Sequence, residues 1–117
     1  MRSDRDDGMV TAELAVCLPV LVLMLAVALG TVSVASARIR VADVAREAAR
    51  LAARGDSAGV AALEAHEAPA IRVVIAQSSD RVTATASARV GMLGSTLPAL
   101  SVTATSVAAL EPVVSSP

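Results

Sequence analysis

The chain has no phenylalanine, tryptophan, tyrosine or lysine, and only one histidine and one cysteine, in 117 residues. Each shortage narrows what it can do. Aromatic side chains bury about 150–250 Å² apiece and dominate most small cores. A domain without them must build its interior from Val, Ile, Leu and Ala, and is expected to be thin, weakly stable and dependent on neighbours. Nucleic-acid binding draws on a basic face and stacking aromatics. Ten arginines against eleven acids give a net charge of -1, so nucleic acid is not an expected partner. Cys17 is the sole cysteine and forms no internal disulfide. His66 stands beside Glu64 and Glu67 with no second His or Cys to complete a ligand set, so no metal or other cofactor is expected. The serines and threonines have no base to activate them. Gly91 and Gly94 precede neither a helix signal nor a lysine, which excludes a phosphate-binding loop. No catalytic residues emerge, and enzyme activity is not expected.

What the chain does have is a long apolar run. Residues 14–37 are 24 positions without a charge. As a helix they reach roughly 36 Å, enough for a hydrocarbon layer of about 30 Å. A polar stretch, MRSDRDDG, precedes the run, and Glu13 marks its start. Gly8 leaves that leader free to adopt an extended conformation that a protease can reach. Pro19 removes one helical hydrogen bond, for which a kink is the simplest expectation.

Beyond Gly30 the helical period continues through TVSVASARIRVADVAREAARLAARG. Ile39, Ala42, Val44 or Ala45, Ala48, Ala49 and Ala52 fall on one face, while Arg38, Asp43, Arg46, Glu47, Arg50 and Arg54 take the others. Asp43 with Arg46 and Glu47 with Arg50 are spaced as i,i+3 ion pairs. Gly55 is a natural stop. A single helix over residues 9–54 would measure about 69 Å, so half of it stands outside the lipid. Asp56 or Ser57 can cap a short second helix that Pro69 ends. The period then changes to two. Ile71, Val73 and Ile75 form one alternating set, and Val82, Ala84, Ala86, Ala88 and Val90 a second beyond the turn at Ser78-Ser79-Asp80. After the connection GMLGSTLP comes a third, with Leu100, Val102, Ala104, Ser106 and Ala108. The last residues, EPVVSSP, carry no element signal. The expected fold is α+β: a long N-terminal helix whose amphipathic half covers a small three-stranded antiparallel sheet. Four segments follow: a leader (1–8), a membrane-spanning helix (9–37), its amphipathic extension (38–55) and a small soluble domain (56–117).

Three kinds of processing site compete at the N-terminus. A secretory signal peptide would be cut after Ala35-Ser36-Ala37, but the leader is acidic and the helical pattern runs on past the cut. A lipoprotein site at Cys17 needs the apolar run before the cysteine, and here it follows. The third pattern is Gly8-Met9-Val10-Thr11-Ala12-Glu13 followed by LAVCLPVLVLMLAVALG. It resembles the leader and helix start of type IV pilin-like proteins, in which cleavage follows the glycine and Glu occupies position five of the mature chain. The closer resemblance is to TadE-like minor pilins of tight-adherence (Flp-type) pili, through the GxVTAELAVxLPxL start and the AREAARxAARGD continuation. It is strong from Gly8 to about Asp56 and weaker in the strands.

The resemblance implies a minor pilin or pseudopilin, cut between Gly8 and Met9 by a prepilin peptidase. Its partners would be other pilins, the membrane platform of the assembly machinery and lipid. Glu13 of an incoming subunit would pair with the new amine of Met9 on a neighbour. A carboxylate within an apolar span costs about 2.5–3.5 kcal/mol, which a partner offsets; a position among the headgroups, favoured by the helix dipole, is the plainer account of Glu13. Removing residues 1–8 takes away two Arg and three Asp, leaving eight of each sign and a net charge of 0. The arginines after the span would, by the positive-inside rule, hold the C-terminal part in the cytoplasm. The family orientation is the reverse, and the acids interleaved with those arginines favour an extracytoplasmic domain. The alternative from another class is a secreted or single-pass anchored binding domain, processed after Ala37, that forms no polymer.

Overall fold

A computed structural model describes residues 3–92, 98–110 and 112. Its architecture is α+β, with helix α1 (Ser3–Ala53), helix α2 (Ser57–Glu67) and strands β1 (Ile71–Gln77), β2 (Arg81–Val90) and β3 (Leu100–Ala109). The molecule measures 101 × 20 × 18 Å, because the first half of α1 projects from a small head made of everything else. Leu, Met and Ala favour α1 along most of its length. It runs unbroken through Pro19 and begins before Gly8. Residues 3–8 are therefore helical rather than extended: nothing in this polar stretch competes with propagation of a helix already nucleated downstream.

The end of α1 is a Schellman motif. Gly55 takes φ 74, its N–H donates to the Ala52 carbonyl at 3.0 Å, and the Asp56 N–H donates to the Leu51 carbonyl at 3.0 Å. Asp56 then caps α2 by accepting the Gly59 N–H at 2.8 Å. The chain reverses within a few residues, so α2 lies beside α1. The backbone turns extended at Ala68, ahead of a cis bond to Pro69, and enters the sheet.

The sheet is an antiparallel meander in the order β1-β2-β3. Pairs such as Ile71 with Ala88 and Ala88 with Val102 set the register. This register places Ile71, Val73, Ile75, Val82, Ala84, Ala86, Ala88 and Val102 on the face toward α1, and Arg72, Val74, Thr85 and Thr105 on the open face. The core consists of Val41, Val44 and Ala45 against Ile71, Ala86 and Val102, continued by Ala48 and Ala49 against Ala84. Small side chains on both surfaces let helix and sheet approach closely, which is how an interior without aromatics is filled. Leu63 of α2 closes one side of both clusters.

The buried face of α1 is the expected one at Val44, Ala45, Ala48 and Ala49 and departs from it at the start. Ile39 is 66% exposed, whereas Val41 is fully buried; Ala42 and Ala52 are half-buried. The ridge through Ile39 continues to Asp43, Arg46 and Arg50, while that through Val41 continues to Val44, Ala45, Ala48 and Ala49. Turning the charged ridge to water carries Ile39 out with it, and burial of two valines and the alanines outweighs one isoleucine. The connection at residues 93–97 and, apart from Pro112, the tail at residues 111–117 lie outside the described residues.

Candidate membrane and assembly segment

From Leu14 to Val32 the projecting half of α1 is apolar on every side. Met9, Leu14, Leu18, Leu21, Leu25 and Val32 are among its large side chains that are half or more exposed, and the helix is long and apolar enough to cross a membrane. A helix with no polar face has no stable place in water. Its few hydroxyls are satisfied within the helix, as a lipid environment demands. Thr31 Oγ1 donates to the Val27 carbonyl at 2.9 Å, and Ser33 Oγ to the Leu29 carbonyl at 3.0 Å. Thr11 Oγ1 does the same toward Asp7 at 2.7 Å.

Glu13 lies on this bare stretch, exposed, and makes no ion pair among the described residues. Gly8 and Met9 lie one turn before it. Pro19 sits between the same exposed neighbours and Cys17 is exposed as well. The structure thus strings Gly8, Met9, Glu13 and Pro19 along one free helix and brings none of them against the head.

Gly8 differs from the other helical glycines. Gly30 is covered by Met92, whose Cε lies 3.4 Å from where a Cβ would be, and at Gly59 a Cβ would stand 2.5 Å from Asp56 Oδ2. At Gly8 a Cβ would meet nothing within 4 Å. Glycine inside a helix costs about 1 kcal/mol relative to alanine, and no contact among the described residues explains it there.

On the head, Asp43 Oδ1 accepts from Arg46 at 3.1 Å, and the Glu47 carboxylate stands 3.8 Å from Arg50, as their spacing suggests. Two further contacts had no signal in the sequence. Arg40 Nη2 donates to Glu67 Oε2 at 3.1 Å, with the Glu67 side chain only 10% exposed; the pair is 27 residues apart and exists because α2 folds back on α1. The seating of Met92 on Gly30 likewise depends on where the sheet docks. At the β1–β2 turn, the adjacent Arg81 guanidinium holds the Asp80 carboxyl below its usual range. Among the described residues, no group of three or more His, Cys, Asp and Glu side chains comes together to hold a metal.

The whole is a small α+β head carried on an N-terminal helix long and apolar enough to cross a membrane. The family model for TadE-like proteins matches residues 8–50. Apoptosis inhibitor Rv3655c of Mycobacterium tuberculosis is 37% identical over 101 residues, covering 86% of this chain and 78% of that protein. No solved structure matches. The chain belongs to the TadE-like family, which associates it with tight-adherence pili in a minor pilin-like role.

Proposed function

We propose that the chain is a minor pilin or pseudopilin that a prepilin peptidase cuts between Gly8 and Met9. The mature protein waits in the membrane as a single-pass subunit with its head outside the cytoplasm. It then joins or primes a Flp-type pilus with other pilins and the assembly platform. Its role is structural, and it is a substrate of an enzyme rather than an enzyme.

The observation that carries the reading is the bare half of α1. From Arg5 to Ser33 the helix is exposed apart from Ala26 and Gly30, so its burial has to come from lipid and then from the helices of neighbouring subunits. Gly8 supports the cleavage site: its lack of a side chain makes room for nothing among the described residues and suits a peptidase that admits only the smallest residue. Glu13, without an ion-pair partner among the described residues, is free to meet the Met9 amine of another subunit.

Processing after Ala37 fits less well. A peptidase must unwind about a turn of helix at either bond. At Gly8 this disturbs no tertiary contact, whereas Ala37 is half-buried and Val34 packs against the core of the head. N-terminal sequencing of the mature protein decides between them, with Met9 expected and Arg38 sinking the pilin reading. Gly8→Leu is expected to leave an uncleaved precursor; normal maturation would reject the site.

A further inference from the structure

We propose that Arg72 and Arg89, with the hydroxyls of Ser87, Ser101 and Thr103, form a binding site for the phosphate of an anionic lipid headgroup at the membrane-facing end of the sheet. The site rests on the single-pass reading above and not on polymer assembly.

Strand register builds it. Arg72 on β1 stands opposite Ser87 on β2, and Ser87 opposite Thr103 on β3; two residues further along β2, Arg89 stands opposite Ser101. These side chains share the open face of the sheet, because their neighbours Ile71, Ala88 and Val102 take the face toward α1. Arg72 and Arg89 are diagonal neighbours, about 7–8 Å apart. They line one surface recess with Ser87, Ser101 and Thr103, and no acid among the described residues borders it.

Both arginines are exposed, and neither makes an ion pair among the described residues, whereas Arg40, Arg46, Arg50 and Arg81 each have one. Like charges held this close on one sheet face repel, so the fold gains nothing by pairing them. An anion does. Guanidinium forks match the oxygens of a phosphate, and the three hydroxyls add further donors around it. Further along, the face carries Val74, Thr85, Thr105 and Val107, and its next charge, Arg81, is already paired with Asp80. The cationic spot is confined to one end.

That end lies nearest the bilayer. Arg89 borders a second recess together with Ala37 and Arg40 of α1. A hydrocarbon layer of about 30 Å takes about 20 residues of helix; counted from Leu14, just past Glu13, it ends near Ser33. Ala37 is then about 6 Å above the boundary, within the polar layer of about 5–7 Å that flanks the hydrocarbon. A soluble phosphate offers the same oxygens, but a site at headgroup height meets lipid phosphates first, and arginines there favour anionic lipid.

The test uses the full chain in phosphatidylcholine nanodiscs with a rising share of phosphatidylglycerol, followed by amide chemical shifts. Saturable shifts are expected at Ser87, Arg89, Ser101 and Thr103, and none at Thr83. Arg72→Gln with Arg89→Gln is expected to weaken the response about tenfold, while Arg46→Gln with Arg54→Gln, which removes two charges elsewhere on the head, leaves it unchanged. An equal response from the two double variants overturns the site and leaves only a general attraction of charge. The Arg72→Gln, Arg89→Gln variant is expected to melt no lower than the native chain; lower melting would show that the fold itself uses the pair, and overturns the premise. Inorganic phosphate that shifts the same amides as strongly, in nanodiscs of phosphatidylcholine alone, overturns the lipid as the ligand. Acyl-chain contacts at Leu25 with no shift at the site overturn the proposal and leave the anchor standing; their absence overturns the single-pass reading and the proposal with it.

Discussion

The two halves of α1 are equally helical and meet opposite fates. Between Met9 and Val32 its surface is dominated by Leu, Val, Met and Ala, and its large apolar side chains are half or more exposed. Between Val41 and Ala53 one ridge is Val and Ala, the others carry arginines and acids, and the small ridge is buried to within a few per cent. The sheet selects the second half although the first is more apolar. Close packing on Ala84 and Ala86 requires small side chains on one side, and stability in water requires charges on the other. A helix covered with leucine satisfies neither condition and is left for lipid or for other helices.

This contrast can be broken at several points. The largest effect is expected from Glu13→Val: cleavage and membrane insertion continue, while crosslinking to other pilins is lost. Unchanged crosslinking would show that the acid merely rests among headgroups. Next comes a paired substitution, Ala48→Leu and Ala28→Leu. The first forces a large side chain into the contact with Ala84 and should cost about 1–3 kcal/mol. The second adds apolar surface to the bare half and should leave thermal unfolding of the head unchanged. Equal effects on the two melting curves would mean that the halves are not energetically distinct.

Arg40→Ala removes the partner of Glu67 and strands a nearly buried carboxylate. Because Arg40 is itself 63% exposed, the loss is expected to be about 1 kcal/mol in denaturant unfolding. Loss of α2 from the head, seen as faster hydrogen exchange at Leu63, would accompany it. The smallest effect concerns pH. Asp80 is held below its ordinary value by Arg81, so its contribution to stability is present above the unfolded carboxylate pKa and fades as pH falls through the lower folded one. Arg81→Ala should flatten that acid limb slightly and leave neutral stability almost unaltered; an unchanged limb would show that the turn pair is fully screened.

Much of the molecule was legible from short-range pattern. The apolar run, the stop at Gly55, the cap at Asp56 and the change to period two each depend on residues within a turn or two of one another, and all appear where those residues lie. The leader was read as extended, but helix carries through it. The buried ridge of α1 is legible at Val44, Ala45, Ala48 and Ala49 but begins at Val41 instead of Ile39, because alanine, abundant on several faces, weakens any contrast in hydrophobicity. Arg40 with Glu67 and Gly30 with Met92 were not legible, since neither pair has local spacing to mark it.

By itself the sequence determined which segments are helix, strand and apolar span, because hydrogen-bond geometry and side-chain periodicity act within a few residues. It also determined the family resemblance, through residues 8–50 above all. Only the tertiary structure decided which ridge of α1 meets the sheet, where the head stops along the helix, and that Met92, just past β2, seats on Gly30. Those outcomes depend on shape fit between surfaces that are distant in the chain, and composition does not encode such a fit locally.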